Sequence, residues 1–573
     1  MFVKHNKTRH GNKDYLSVLL VQGRRVPAKR PPGRPPANGT APKSVVIHET
    51  LANLSRLPPS LISIIEGYCR AAAQPAAEAA PRPAAAGAQG AAPSVHLGPC
   101  YGLFAALHAL AGELGIVETV GAQTRTQRLA LYLVYARVCH QGSRLSAARF
   151  SEDHALREVL QVGRFDEDDL YSALEYLEQN QARIETALRS RKGPVEKGAV
   201  FLYDVTSVYF EGQHNELAEF GYNRDGKKGK KQMVVGLLTD GTGEPLSIQL
   251  YRGNSADPPT FLDAVEKLKV RFGGREIALV GDRGMIKSLG KQALGEAGYR
   301  YVTALTDPQV RTLLGKGVLQ LGLFEDKPAE VEVQGKRYIL RCNPQTKERE
   351  ERRREDQWKR VKGKLIARNE TVAKKRGCSA QSSLRQAEAL LKKYRLSAWV
   401  GVRLEGREVL WAEDSAARAA AAQLDGCYVL ESDLPASVSN TQQVHDRYLD
   451  LTLVERDFRT LKTGLLAIRP VFLRKATRTR GHALASPLSL KLARELDRRV
   501  APLGLTVQDA VERLSGVRLV RLGAEETGLW RLAESYPAAQ SEVLGVLPKL
   551  PAPVLSLAKP NKRRLVNPRK GRQ

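Results

Sequence analysis

Between Gly198 and Leu305 short apolar runs, turns and helical stretches follow one another in an order that few folds accept. Ala199 to Thr206 (AVFLYDVT) reads as a strand carrying a single acid, Asp204. A polar, lysine-rich loop (Asp225 to Lys231) leads to a second strand, Gln232 to Thr239, then a turn at Asp240-Gly241 and a third strand, Pro245 to Tyr251. Helical spacing follows over Pro259 to Phe272, and Glu276 to Val280 is a strand that delivers Gly281-Asp282-Arg283-Gly284. A helix (Ser288 to Ala297) and a strand (Tyr301 to Leu305) complete the order β-β-β-α-β-α-β. That order predicts an α/β fold: a hairpin meander, then right-handed crossovers, making a mixed sheet flanked by helices.

Among the acids, Asp204 stands apart because it interrupts an apolar run, and burying an unpaired carboxylate is costly. Asp240 in Thr-Asp-Gly-Thr-Gly has the ordinary work of a turn aspartate. Asp225 lies in a loop before glycine and lysines, and Asp257 precedes Pro258, a turn or helix-start signal.

A third informative stretch is Tyr448 to Lys462, YLDLTLVERDFRTLK. On one continuous helix, residues seven apart return to nearly the same azimuth, so Tyr448, Glu455 and Lys462 would form a polar stripe with Arg459 beside it. Leu451, Val454, Phe458, Leu461 and Leu465 recur at steps of three and four and form the core-facing stripe.

Charge narrows the partner. The 573 residues carry 90 Lys plus Arg against 61 Asp plus Glu, a formal charge of +29, which points to a polyanion such as nucleic acid. Neither a long apolar span nor a signal peptide is evident, so the chain reads as cytosolic and, with DNA as its partner, nucleoid-associated; no membrane role is expected. Six scattered cysteines without CxxC or Cys/His spacing argue against a zinc site and read as reduced thiols.

The expected organisation is a basic N-terminal module (1–70), an Ala/Pro-rich linker (71–99), a helical DNA-binding or dimerisation region (100–197), a first core segment (198–305), an insertion (306–424), a second core segment (425–500) and a C-terminal helical region with a basic tail (501–573). Residues 1–50 hold ten Lys/Arg and two acids, around a proline-rich insert, Lys29 to Pro36, that reads as a linker. The insertion contains a hairpin (Glu330 to Cys342), a densely charged helix (Lys347 to about Lys375), a second helix (Ser382 to Tyr394) and a strand pair around Trp399 to Trp411. Residues 462–499 carry ten Lys/Arg, and the last fifteen residues carry seven cations and no acid.

Three carboxylates on rigid elements among cations suit phosphodiester chemistry with two divalent ions about 3.5–4 Å apart, because hard ions take oxygen ligands and keep several waters. Asp204, Asp282 and Glu455 fit that demand. FLYDVTSVYFEG, LVGDRGM and Y-x6-E-x6-K followed by RPVF resemble the three acidic motifs of DDE transposases of bacterial insertion sequences. The resembling subgroup has the signature Y-x2-R-x3-E-x6-K and an insertion between the second aspartate and the glutamate, and the resemblance runs from about residue 198 to 500.

That resemblance implies a ribonuclease-H-like catalytic fold, Mg²⁺ (with Mn²⁺ as a possible substitute), and cut-and-paste joining of element ends to target DNA. It implies that Asp204, Asp282 and Glu455 bind metal and are catalytic, with Tyr448, Lys462, Arg459, Arg283 and Arg469 contacting DNA. The implied partners are double-stranded DNA, both terminal inverted repeats and target, and a second copy in a homodimer on DNA. Two departures stand out: the signature's arginine falls on Leu451, leaving its contact to Arg447 or Arg459, and Pro487 interrupts an expected continuous helix. The alternatives are a catalytically inactive, transposase-derived DNA-binding protein and a host nuclease on the same fold.

Overall fold

The computed structural model describes residues 2–10, 13–27, 44–53 and 95–553, except 213, 223, 228, 273–276, 284, 376, 463–465, 470, 523–529 and 534. The chain divides into two units, Met1–Ala91 and Ala92–Gln573. In the first, β1 (Phe2–His10), β2 (Lys13–Pro27) and β3 (Ser44–Asn53) form an antiparallel sheet in the order β1-β2-β3. The apolar runs Tyr15 to Val21 and Ser44 to His48 read as strands in the sequence and fall within β2 and β3. β1 was not expected, because FVKHNKTRH has apolar residues only at its start and is held as a strand by pairing with β2 from Phe2–Val21 to His10–Lys13. The insert Lys29 to Pro36, most of the expected linker and the basic tail lie outside the described residues.

The second unit opens with β4 (Val95–Cys100), which falls within the stretch expected to be linker. Helices Gly102–Glu113, Ile116–Val120, Arg125–Cys139, Arg144–Phe150, Leu156–Leu160, Glu167–Gln179 and Gln181–Ser190 follow. Two of their starts are written locally: Thr124 and Gln127 form a capping box, as do Asp166 and Asp169, so orphan amides at those two helix starts find acceptors.

The main sheet then builds as its pattern predicts. β5 (Val200–Tyr209), β6 (Gln232–Asp240) and β7 (Pro245–Arg252) are an antiparallel meander, followed by helix Asp257–Lys267, β8 (Ala278–Gly281), helix Ser288–Glu296 and β9 (Arg300–Ala304). β5, β8 and β9 run parallel. Asp240 does the turn work expected of it: its Oδ1 accepts from the amides of Thr242 and Glu244, both at 3.0 Å.

The insertion is smaller than expected. After helix Asp307–Gly315, the hairpin β10 (Ala329–Val333) and β11 (Lys336–Cys342) joins the main sheet. What protrudes is helix Pro344–Lys374, helix Ala380–Lys393, the hairpin β12 (Val400–Glu405) and β13 (Glu408–Glu413), and helix Ser415–Ala422. These share a core of their own around Trp358, Leu365, Leu391 and Trp399. β14 (Cys427–Ser432) then returns to the sheet, whose eight strands run β10-β11-β14-β9-β8-β5-β6-β7.

The expected helix Tyr448 to Lys462 is two helices, Thr441–Leu449 and Leu451–Lys462, separated at Asp450. Val454, Phe458 and Leu461 of the second are buried as their spacing predicts, each contributing on the order of 1.5–3 kcal/mol. Helix Ala476–Val500 runs unbroken through Pro487, which is buried within it. Helix Val507–Ser515, the strands β15 (Arg518–Leu522) and β16 (Arg531–Leu532), and helix Ala538–Gly545 close the unit, with β16-β15-β4 as a separate sheet.

Successive side chains of β5 alternate faces. Phe201, Tyr203 and Val205 pack with Phe261 and Leu279 on one side. Leu202 and Val208 join, on the other, a continuous core with Leu103, Tyr132 and Leu174 of the helical block, Val454 and Phe458, and Leu484 and Leu488. The helices at 102–190 are thus packed into the main sheet's own core instead of forming a separate body.

Candidate active site

Parallel pairing brings the two aspartates together. Tyr203 of β5 is in register with Gly281, the last residue of β8, so Asp204 on β5 and Asp282 just past the end of β8 are the next positions. Helix Leu451–Lys462 packs over the Asp204 face of β5 and presents Glu455 on its exposed side. Burial pushes the Asp204 carboxyl up to about 7, and the negative charges of Asp282 and Glu455 push in the same direction, while the amide of Val205, 2.7 Å from Oδ1, and the charge of Arg224 pull it down. Asp282 and Glu455 are therefore each within electrostatic reach of Asp204. Among the described residues, however, no three His, Cys, Asp or Glu side chains converge as ligands of a single ion.

Asp282 follows the end of β8 and is exposed; its Oδ1 accepts from the amide of Arg283 at 2.6 Å and from the Tyr448 hydroxyl at 3.3 Å. That contact reaches across 166 residues and survives the break at Asp450. Burial, then the charge of Asp282, hold the Tyr448 phenol above its ordinary range. Lys462, at the far end of the glutamate helix, donates to Thr206 Oγ1 at 2.5 Å and to Asp225 Oδ1 at 3.0 Å. Burial lowers its ammonium pKa and Asp225 opposes the shift.

The transposase DDE domain family matches residues 196–488, a stretch that spans Asp204, Asp282 and Glu455 and makes up more than half of the chain. The chain belongs to the DDE transposase family. Among solved structures, the transposase is similar to a piggyBac transposase synaptic complex with hairpin DNA (10% identity, 72% of this chain and 76% of that one, TM-score 0.34). It is also similar to a Mos1 transposase paired-end complex with left transposon end (13% identity, 32% of this chain and 58% of that one, TM-score 0.14). No curated protein matches it. No helix among the described residues is long and apolar enough to cross a membrane.

Sequence reasoning on the transposase missed Asp225. Set aside as a loop acid, it holds both Lys462 and Arg469, whose Nη1 lies 2.8 Å from Asp225 Oδ2 while its guanidinium stacks over Tyr209 at 4.4 Å. The neighbouring Arg224 pairs with Asp257 at 2.5 Å. Lys462 and Arg469, two of the expected DNA contacts, are therefore engaged by one acid within the protein. Arg283 pairs with Asp307 at 3.1 Å, and Arg459 is exposed on the helix that carries Glu455. Leu451, where the signature has arginine, is buried in the core; Arg447, one turn earlier, carries a buried Nη1 with no hydrogen-bond partner.

Proposed function

We propose that this transposase excises an insertion sequence and joins it to target DNA at Asp204, Asp282 and Glu455. The observation that carries the reading is the neighbouring register of Asp204 and Asp282 on parallel strands, with Glu455 close enough to raise the Asp204 carboxyl. The donor set is all carboxylate oxygen, which suits Mg²⁺, with Mn²⁺ as a substitute. A carboxyl that burial pushes up to about 7, with two further acids pushing the same way, marks a site short of cations. Pairs of these carboxylates would hold two ions, which when bound lower the pKa of a ligated water and offset charge on the leaving oxygen.

The protein's own part is positioning. Tyr448 orients Asp282 through its hydroxyl, and the cations Lys462, Arg459, Arg283, Arg469 and Arg447 bind the flanking phosphates of double-stranded DNA. Attack by water on the phosphodiester at an element end breaks the P–O3′ bond and leaves a 3′ hydroxyl. That hydroxyl then attacks a target phosphodiester, with one P–O bond formed and one broken. Two ends must be joined in one event, so the working species is a homodimer on DNA bearing terminal inverted repeats.

The test is strand transfer with a labelled duplex carrying the inverted repeats that flank the gene, in Mg²⁺. Activity is expected from the native protein and none from Asp282→Ala; an undiminished Asp282→Ala protein removes that residue from the site. The buried Leu451 favours one other reading, an inactive DNA-binding derivative. Salt-sensitive DNA binding without metal-dependent cleavage is its signature.

A further inference from the structure

The loop between β5 and β6 carries a feature that the carboxylate chemistry does not use. From Phe220 to Lys231 it reads FGYNRDGKKGKK, five cations and one acid around two aromatic residues. Tyr222 is 82% exposed and Phe220 62% exposed, so neither ring gains much from the core. Each lies beside a cation: the Arg224 guanidinium is 5.8 Å from the Tyr222 ring centre and the Lys231 ammonium 5.8 Å from that of Phe220.

The backbone at Glu219 to Tyr222 is nevertheless pinned in place. Glu219 and Gln232 exchange backbone hydrogen bonds at 3.0 and 2.9 Å, and the Gln232 side-chain amide donates to the carbonyls of Tyr222 (2.9 Å) and Gly253 (2.8 Å). A Cβ on Gly221 would stand 2.1 Å from the Gly253 carbonyl oxygen, so only glycine allows the chain to pass there. Beyond the ring of Tyr222, Arg224 is near enough to influence Asp204, and Asp225 grips Lys462 and Arg469. The loop thus connects two exposed rings directly to the edge of the catalytic site.

We propose that Tyr222 is a stacking platform for an unpaired DNA base several nucleotides from the cleavage site, with Phe220 and the surrounding lysines supporting the adjacent backbone. Every base offers a π-face, and exposed aromatics interleaved with cations are the surface chemistry that holds unpaired nucleotides. Gln232, which fixes the Tyr222 carbonyl, pairs with Tyr209, five residues along β5 from Asp204. At about 3.3 Å per strand residue that is roughly 16 Å, or about five nucleotides at roughly 3.4 Å each. The base engaged therefore lies several nucleotides from the scissile phosphate.

The inference rests on the DNA-joining reading, and the experiment separates the two. Binding of the full-length protein is measured by fluorescence anisotropy with two duplexes of identical length, one fully paired and one with a forked, unpaired end. Tyr222→Ala is expected to weaken forked-duplex binding about tenfold and leave paired-duplex binding unchanged, while Tyr222→Trp restores the forked preference. Equal weakening on both duplexes, or none on either, overturns the stacking role while leaving DNA binding intact. Loss of self-association in Tyr222→Ala with unchanged DNA affinity also overturns it, assigning the rings to a protein contact. Failure of the native protein to bind either duplex overturns both readings.

Discussion

Asp204 and Asp457 are two acids pushed by burial to about the same value, near 7, in very different company. Asp457 is fully buried two positions after Glu455, on the opposite side of the same helix, and its Oδ1 pairs with Arg494 of helix Ala476–Val500. Arg494 also donates to the Gly243 carbonyl at 3.0 Å, so the pair is a joint between a helix, a helix and a turn. Asp204 has no ion-pair partner among the described residues: Asp282 and Glu455 act on it, and Arg224, whose charge also reaches it, is paired with Asp257. The lesson is that desolvation alone does not mark an active site. A raised carboxyl facing a cation completes a scaffold, while one facing more carboxylates is held in readiness for something positive.

The sharpest break of that comparison is a pair of isosteric changes. Asp204→Asn is expected to lower strand-transfer activity on the order of a thousandfold or more, whereas Asp457→Asn keeps the activity of its folded fraction. Thermal unfolding runs the other way. At pH 7.5 without divalent ions, Asp204→Asn melts at or above the native temperature because it removes a buried charge, and Asp457→Asn melts several degrees lower because Arg494 loses its partner.

Mg²⁺ is expected to raise the melting temperature of the native protein and of Asp457→Asn, and to leave Asp204→Asn nearly unmoved, since only a ligand of the native state stabilises it. A scan showing equal Mg²⁺ stabilisation in all three proteins contradicts the assignment of Asp204.

The pH dependence has a definite sign. A carboxyl whose folded pKa lies above its unfolded value binds more protons when folded, so its contribution is favourable below the unfolded value of 3.8 and is lost as pH rises toward about 7. Metal-free native protein should therefore lose stability across that window, and the loss should shrink in Asp204→Asn in denaturant titrations at pH 5 and pH 7.5. The smallest expected effect belongs to Asp225→Asn. Releasing Lys462 and Arg469 to phosphate should strengthen binding to a paired duplex a few-fold and steepen its salt dependence.

Much of this was written locally in the chain. β5 and β8 follow from short apolar runs, and Asp204 on β5 stood out because nothing nearby explained a charge there. The buried stripe Val454, Phe458 and Leu461 was visible in the spacing. What escaped was set by partners far away. Asp225 acquires meaning from Lys462, 237 residues later. The Tyr448-Glu455-Lys462 stripe assumed one helix, and the break at Asp450 means that Tyr448 finds Asp282 by tertiary packing instead. The hairpin at 329–342 carries no mark that it would extend the main sheet and not the insertion, because edge pairing with β14 is decided by the return of the chain after residue 422.

The pairing of β4 with β15 binds His96 and Leu97 to residues near position 520. A ribosome delivers that first strand long before its partner exists, and the intervening polypeptide, insertion included, must emerge before the seam can close. Such a late, distant closure gives a slow final step and leaves a strand edge available for wrong pairing in the interval. Truncation anywhere short of residue 522 should accordingly yield nascent chains that call on chaperones, whatever the state of the carboxylates.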